Sequence, residues 1–420
     1  MGEISVLDTR PAAEKPPTDA QLIEHFSPVF ERLRATATSR ERERAHPFEE
    51  VRELQRLGFG ALRVPRALGG HGASLRQLFR VLVELGAVES NLPQALRHHF
   101  FRVEMLLLQP DSPNQRLWLE RVTRGEIFGN GTTEPHGAKL GRVETRVTPH
   151  GDGFRLDGMK IYSTGNLYAH WIPVSAVNQN DEPVLVMVPA NAPGVEIWND
   201  WDGFGQRLTG TDTTTFTDVE VTAADVTPAG VKGGHHGAGF HQMVLVAVLA
   251  GIGRAARDDL VADVQRRKRI YYTGTGDIPR RDPIIQESVG AIEARVTGCV
   301  ALADHAAVAL QDAWDLWAAG ADFATVDRAF IEAEIVIGAA QVVLSREVVD
   351  IAGRLFDGLG ASSTLQSRNL DRHWRNARTV ASHNSALFKA RVVGDYVLNG
   401  TPPALFRVGH DVGERASASS

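Results

Sequence analysis

The sequence predicts an α+β protein in which two helical domains flank a middle domain of antiparallel strands. Apolar residues recur with helical spacing up to about residue 108, alternate between about 126 and 221, and return to helical spacing from about 237. The expected order is an N-terminal helical domain, a small antiparallel β-barrel or sandwich, and a C-terminal four-helix bundle. The predicted boundaries are 18–125, 126–232 and 233–403, with terminal arms at 1–17 and 404–420.

The composition is that of a globular protein and excludes several functional classes. The 420 residues are 43% apolar and 23% charged, which argues against a disordered or fibrous chain. The formal net charge of −6 argues against nucleic acid as the main partner. No secretory signal and no apolar run of about 20 residues is apparent, so we expect a cytoplasmic protein with no membrane partner. The single cysteine, Cys299, is expected to be a buried structural thiol.

The N-terminal domain is predicted to contain three helices. The first spans about 19–57, and Ser74 caps the second. The third runs over about 92–108 and carries the adjacent pair His98 and His99. Such a pair is as often one packed and one solvated imidazole as it is a functional feature, so both interpretations stay open at this point.

The middle domain is predicted from short alternating segments joined by polar turns. It begins with FGNGTTE at 128–134, whose glycines predict a strand end where the backbone closely approaches another group. The strands that follow are predicted at 142–147, 154–162, 171–177, 184–188 and 211–221.

The C-terminal domain is predicted from long helical stripes. Apolar residues alternate four and three apart over 282–317, which opens with Asp282 as a cap, and do nearly the same over 330–355. The helix over 240–269 is apolar through most of its first half, which predicts burial on more than one side. Helices of this length favour an antiparallel bundle.

A basic segment, LDRHWRNARTVASHN, follows at 370–384. Arg372, Arg375 and Arg378 are three residues apart, which favours a site for phosphate or carboxylate over the alternative of a solvated helix face. The segment ends on His383, and no glutamate occurs from 368 to 395.

No dinucleotide-binding glycine motif, P-loop or metal-ligand spacing is present in the sequence. The polar residues that could carry chemistry are instead distributed over all three predicted domains. This distribution is typical of a large cofactor held between domains, and no metal site is predicted.

The same segments resemble the acyl-CoA dehydrogenase superfamily from about Asp19 to Pro403. FGNGTTE is similar to its strand against the flavin ring, and KIYSTGNLYAHW and GFGQRLTGTDTTTF are similar to the strands that follow. Within the superfamily, YSTG, LDRHWRNART and the closing HN resemble the flavin-dependent monooxygenases, such as dibenzothiophene monooxygenase and the sulfur-acquisition oxidoreductases. Many acyl-CoA dehydrogenases place a catalytic glutamate where this chain has His383 or Asn384.

The resemblance implies a set of site residues. Asn130 and Ser163 are expected to hold the flavin N5/C4a region, and His99 and His383 are expected to relay a proton near neutral pH and orient substrate. His99 is preferred to His98 because it precedes an aromatic pair. Flavin contacts are expected from Asn130, Thr132, Ile161, Ser163, Trp201, Thr211, Arg267, Arg269 and Gly358. For Arg267 and Arg269, the alternative is a cationic helix C-terminus that interacts favourably with the helix dipole. For Gly358, a glycine that ends a helix explains the residue equally well.

The function implied is a two-component monooxygenase. It would use reduced FMN from a separate flavin reductase, with O₂ and a C4a-hydroperoxide, to oxygenate a small acceptor such as an organosulfur compound. Because the phosphate-gripping segment often comes from a neighbouring subunit, a homotetramer or dimer is expected. The alternatives are an FAD-dependent acyl-CoA dehydrogenase-like enzyme and a scaffold that has lost the flavin.

Overall fold

The computed structural model describes residues 16–135, 143–229 and 234–405 and has the three predicted regions in the predicted order. The N-terminal helices are α1 (Asp19–Glu43), α2 (Phe48–Arg56), α3 (Leu75–Val88), α4 (Asn91–Ala95), α5 (Arg97–Leu107) and α6 (Pro113–Thr123). Ser74 caps α3 as predicted, by accepting from Gln77 N–H at 3.1 Å.

Two of the predicted N-terminal helices are interrupted in the structure. The first divides into α1 and α2, because Arg44 adopts a left-handed φ of 52° and Pro47 follows, where a helical conformation is disfavoured for the preceding residue. The third divides into α4 and α5 at Leu96.

The middle domain is a seven-stranded sheet. Its strands are β1 (Arg146–His150), β2 (Gly153–Ser163), β3 (Trp171–Val177), β4 (Pro183–Pro189), β5 (Val195–Ile197), β6 (Asp212–Val221) and β7 (Val226–Pro228). They lie in the order β5-β6-β2-β1-β3-β4-β7, and all neighbours are antiparallel except β1 and β3. The two predicted hairpins, β1–β2 and β3–β4, are confirmed, whereas the finer description as a barrel or sandwich stays a prediction.

The C-terminal helices are α7 (Gly234–Arg266), α8 (Pro283–Ala318), α9 (Phe323–Arg354), α10 (Arg372–Ser382) and α11 (Ala386–Asn399). Asp282 caps α8 by accepting from Ile284 N–H at 2.9 Å and Ile285 N–H at 3.3 Å. The predicted stripe of α9 is buried throughout. Cys299 is 3% exposed, and burial raises the pKa of its thiol to about 11, as expected for a structural cysteine.

Helix α7 lies at the centre of the helical core. Its residues 243–253 are all buried, which confirms the prediction of burial on several sides. It packs closely on α3, since a Cβ added at Gly251 would lie 2.6 Å from the backbone of Gly86. By length and composition alone α7 could cross a membrane, but 72% of its most apolar window is buried inside the protein. The N- and C-terminal helices therefore share one hydrophobic core.

Candidate active site at the junction of the three domains

The segment 128–133 lies beside strands β2 and β3 and passes close to Asn166. Gly129 N–H donates to Trp171 O at 2.8 Å, which fixes the segment along β3. A Cβ at Gly129 would stand 2.0 Å from Asn166 Oδ1, so only glycine fits at this position. The predicted close approach of backbone is therefore confirmed, with a side chain of this chain as the neighbour.

Asn130 is fixed by hydrogen bonds at the end of strand β2. Its backbone N–H donates to Asn166 Oδ1 at 2.7 Å, and its Nδ2 donates to Tyr162 O at 3.3 Å. Its Oδ1 accepts from Thr132 Oγ1 at 2.8 Å. The predicted residues Asn130 and Thr132 therefore act as one unit, joined to the end of β2.

Ser163 has a buried hydroxyl at a strained end of β2. Tyr162, just before it, has a φ of 52°, and the pairing of β2 with β6 is irregular between Lys160 and Ser163. Strain of this kind accumulates at functional sites. The Ser163 side chain is fully buried, and its Oγ has no hydrogen-bond partner among the described residues. Because buried hydroxyls are normally bonded, this atom fits a site whose partner is a bound molecule.

The remaining predicted contacts from the sheet lie around the same turn. Ile161 N–H donates to Thr133 O at 2.9 Å and so pairs β2 with the segment 128–133. The hydroxyl oxygens of Thr211 and Thr164, the residue after Ser163, lie 3.0 Å apart and form a hydrogen bond. The Trp201 ring lies 6.3 Å from the ring of Tyr162. The structure thus brings together Asn130, Thr132, Ile161, Ser163, Trp201 and Thr211.

Helices from both other domains pack against this part of the sheet. A Cβ at Gly165 would lie 2.2 Å from Ala95 O, so the turn after Ser163 rests on the end of α4. On another side, Gln206 N–H donates to Asn376 Oδ1 on α10 at 2.5 Å. The residues Asn130, Thr132, Ile161, Ser163, Trp201 and Thr211, here called the β wall, therefore lie in a part of the sheet that contacts helices from before and after it in the chain.

His99 is a structural residue in this arrangement. Its Nδ1 accepts from Phe128 N–H at 3.2 Å, so its Nε2 carries the proton and donates to Gly60 O at 2.9 Å. Burial lowers the pKa of His99 to about 4. The expectation that His99 titrates near neutral pH is wrong, because both ring nitrogens are used to join α5 to the backbone on either side.

His383 and His98 are instead linked to each other by Arg97. Arg97 Nη2 donates to His98 Nε2 at 3.2 Å and to His383 Nε2 at 2.9 Å. A guanidinium has no acceptor, so both imidazoles must be neutral on the nitrogen that faces it. The charge of Arg97, and secondly burial, lower the pKa of His383 well below its usual value, so titration near neutrality is not expected for His383 either.

Residues that the sequence reasoning missed lie beside this group. His241 on α7 stands 5.1 Å from the His98 ring and stacks on Phe101 at 3.9 Å. On the neighbouring turn Asn384 Nδ2 donates to Gln242 Oε1 at 2.7 Å. The available signal was the run from Arg97 to His99, but the sequence does not show which of its side chains turn toward α7.

The predicted phosphate-binding residues lie elsewhere. Arg267 Nη1 donates to Leu359 O at 2.7 Å, next to the buried Gly358, and Arg269 is exposed. Arg267 follows the C-terminal end of α7, whereas His241 lies near its N-terminal end. At 1.5 Å per helical residue the two are about 40 Å apart along α7, so Arg267 and His241 lie at opposite ends of this helix.

The arginines of α10 hold this helix in place. Arg372 Nη2 donates to Asp259 at 2.6 Å, and Arg375 Nη1 donates to Glu41 at 3.1 Å. Arg378 is partly exposed and bonds only the nearby Ser382 hydroxyl at 3.2 Å among the contacts of the described chain. Two of the three predicted anion-binding arginines are therefore occupied by carboxylates of the protein.

Comparison with known families matches all three domains. Residues 25–126 match the model of the acyl-CoA dehydrogenase N-terminal domain, residues 129–219 the middle domain, and residues 243–387 the C-terminal domain. The matches follow the predicted order of helical, strand-rich and helical regions.

Individual relatives align along most of the chain. A probable FMNH2-dependent monooxygenase, SfnC of Pseudomonas putida, is 26% identical and covers 88% of this chain and 92% of its own length. Dibenzothiophene monooxygenase of Rhodococcus erythropolis is 27% identical, with 89% and 92% covered. Among solved structures, FMN-bound TdsC of Paenibacillus sp. A11-2 has a TM-score of 0.82 at 23% identity, with 92% and 98% covered. Methanesulfinate monooxygenase MsuC of Pseudomonas fluorescens has a TM-score of 0.81 at 24% identity, with 91% and 98% covered.

Proposed function

Since the chain belongs to the acyl-CoA dehydrogenase family through all three of its domains, we propose that it is a two-component, flavin-dependent monooxygenase. Reduced FMN from a separate flavin reductase would supply two electrons, so that one atom of O₂ enters a small acceptor and the other leaves as water. The FMNH2-dependent and dibenzothiophene monooxygenases that align along most of the chain support this proposal.

The observation that carries the proposal is the chemistry around His383. The position where a dehydrogenase of this family needs a carboxylate base holds an imidazole, and no glutamate occurs from 368 to 395. Arg97 beside it lowers the pKa of His383, which makes this ring a poor base for a proton next to a carbonyl. A cation and neutral donors instead stabilise negative charge that develops on oxygen during its transfer.

We assign the β wall to the flavin ring. Asn130 and Ser163 would face the reactive edge of the ring, and the unbonded Ser163 hydroxyl is the atom whose environment best fits such a partner. Thr132, Ile161, Trp201 and Thr211 would line the rest of this side. Hydrogen bonds between Thr132 and Asn130 and between Thr211 and Thr164 hold this side in place before any ligand arrives, which favours binding by a preorganised site.

Arg97, His98 and His383, here called the helical wall, are assigned to the acceptor. His98 and His383 would orient the acceptor, since each offers a neutral imidazole held by Arg97. His99 would serve only to position α5 against the segment 128–133. The names of the relatives favour an organosulfur acceptor for this chain.

A second copy of the chain is proposed to complete the cofactor site. Arg267 is about 40 Å along α7 from His241 at its N-terminal end, by the rise of an α-helix. We propose that Arg267, Arg269 and Gly358 grip the FMN phosphate of a neighbouring subunit. A homodimer or homotetramer in the cytoplasm, served by a reductase, is the assembly that we propose.

Flavin titration separates this proposal from its alternatives. The full-length protein is titrated anaerobically with FMN and with FAD in their reduced and oxidised forms, and bound flavin is followed by fluorescence. We expect reduced FMN to bind, and bound oxidised flavin to keep its colour when an acyl-CoA is added. Bleaching by the acyl-CoA would favour a dehydrogenase, and a complete lack of flavin binding would favour a scaffold.

A further inference from the structure

Arg97 is a buried cation without a carboxylate. Arg97 is 5% exposed, and its Nε–H has no hydrogen-bond partner in the described parts of the chain. Its two contacts are the neutral imidazoles of His98 and His383. No acidic side chain in residues 16–135, 143–229 or 234–405 forms an ion pair with it.

The other buried arginines of the N-terminal domain differ in this respect. Arg40, 6% exposed, donates to Glu89 at 2.7 Å, and Arg63, 8% exposed, donates to Glu104 at 2.7 Å. The protein therefore pairs these two buried guanidinium groups with acids, whereas Arg97 and the partly buried Arg102 have no acidic partner among the described residues. Charged side chains are seldom buried unless paired, because desolvation of a lone charge is costly.

Arg97 nevertheless stays charged at neutral pH. Burial lowers its pKa only to about 10. Its hydrogen-bond partners are the imidazoles of His98 and His383, and the His241 ring lies 5.1 Å from the His98 ring. No carboxylate in the described parts of the chain pairs with Arg97, so no neighbouring acid balances its positive charge.

The position of Arg97 connects this charge to the proposed acceptor side. Arg97 is two residues beyond Ala95, whose carbonyl abuts the turn that follows Ser163. It also contacts His383, at the position that replaces the family's base. A group bound to Arg97 would therefore lie between the β wall and the end of α10.

We propose that Arg97 binds an oxyanion of the acceptor, so that this enzyme oxygenates small acceptors bearing a carboxylate or a sulfur oxyanion. The anion would accept from Nε–H and from the guanidinium N–H groups not used by the imidazoles, the geometry for which arginine is suited. The assignment to an acceptor rests on the proposed monooxygenase function, whereas the anion site itself does not.

Matched pairs of probes test the anion site without turnover. Calorimetry on the flavin-free, full-length protein compares benzoate with benzamide and benzenesulfinate with methyl phenyl sulfone. We expect at least one anion to bind more than about tenfold tighter than its neutral counterpart. The carboxylate and sulfinate arms show which oxyanion is preferred. Equal binding of anions and neutral probes would overturn the proposal without any variant.

Variants test whether Arg97 causes the preference for anions. Arg97→Met should remove the preference for anions, and Arg97→Lys should retain part of it because the charge remains. Arg102→Met, with the same change in charge on α5 at an arginine that also lacks an acidic partner among the described residues, is the control and should bind like the wild type. Preference for anions that survives in Arg97→Met would assign the binding to another site and overturn the proposal.

Two further results separate this inference from the proposed function. The calorimetry is repeated with saturating FMN, and anion binding should persist; its loss would assign Arg97 to the cofactor and overturn the inference. Oxygenation of neutral acceptors with no anion preference would leave the monooxygenase proposal standing and reject this one. Anion preference in a protein that never oxygenates would reject the proposed function alone.

Discussion

The two walls of the candidate site satisfy their polar groups differently. On the β wall, Asn130, Thr132 and Thr211 bond neighbouring residues. The Ser163 hydroxyl and the Oδ2 atom of Asp212, which pairs with Ser163 across β2 and β6, have no hydrogen-bond partner among the described residues. On the helical wall, a guanidinium lies buried between neutral imidazoles, and no acid in the described parts of the chain pairs with it. The β wall is therefore held largely by its own hydrogen bonds, whereas the helical wall carries an unbalanced cation.

The largest expected effect is on the helical wall. His383→Ala should lower kcat by about 100-fold, the loss expected when a residue that positions the acceptor is removed, and leave FMN affinity within about twofold. Steady-state oxygenation and flavin titration measure the two quantities. His383→Gln, which can still accept from Arg97, should lose less activity than the alanine variant. Equal activity in His383→Ala and wild type would remove this residue from the site.

The next effect concerns His99, which joins α5 to the segment 128–133. His99→Ala should destabilise the protein by about 3 kcal/mol, because Gly60 O and Phe128 N–H lose buried partners and a cavity remains. Chemical denaturation measures the loss. His99→Gln should lose less, since its amide can replace one of the two bonds. An unchanged free energy of unfolding in His99→Ala would contradict the structural role.

The lowered pKa of His99 predicts that the stability of the protein depends on pH. The folded pKa of His99 is lowered to about 4, while the unfolded chain titrates near its ordinary value of 6.5. The unfolded state therefore binds more protons below pH 6.5, and stability falls as pH decreases toward 4, by about 1.4 kcal/mol per pH unit from this residue. His99→Gln should show a shallower decline between these values, and an identical slope would count against a neutral buried His99.

A smaller effect is expected at the β wall. Ser163→Ala should divert oxygen to hydrogen peroxide and lower coupling by about tenfold, because one donor to the flavin edge is lost. The ratio of product to peroxide measures this. Ser345→Ala is a matched control, since Ser345 also has a buried hydroxyl without a partner and lies on α9. Unchanged coupling in Ser163→Ala would show that this hydroxyl does not face the flavin.

The smallest effect concerns strain beside the same residue. Tyr162 has a φ of 52°, a conformation that costs a non-glycine residue about 1 kcal/mol. Tyr162→Gly should relieve this strain. Because glycine makes the unfolded chain more flexible, part of the gain is offset, and we expect the free energy of unfolding to change by less than about 1 kcal/mol. Flavin affinity should fall, because the half-exposed ring beside Trp201 is lost. A destabilisation above about 2 kcal/mol would mean that the ring, not the strain, dominates.

Periodicity and capping predicted the helical framework well. The stripe of α9 and the Asp282 cap of α8 depend on residues close in sequence, and both are confirmed. The β-wall residues Asn130, Ser163 and Thr211 came from resemblance, and the structure brings them together. Their roles toward flavin stay predictions.

The helical wall was harder to predict, because its chemistry depends on tertiary contacts. His98 and His99 are neighbours on one helix and differ by only about 100° in direction, so which one meets the backbone at Phe128 follows from packing. The sequence also shows Arg97 but not the absence of an acid beside it. That absence is a property of the folded chain as described here.

The most direct test of the proposed monooxygenase activity is a single turnover under ¹⁸O₂. The protein is loaded with reduced FMN and mixed with benzenesulfinate or methyl phenyl sulfide, and the product is analysed by mass spectrometry. The account predicts that the product gains one ¹⁸O atom from O₂ in the presence of the protein. Label found only in hydrogen peroxide and water, with both acceptors recovered unchanged, would contradict it.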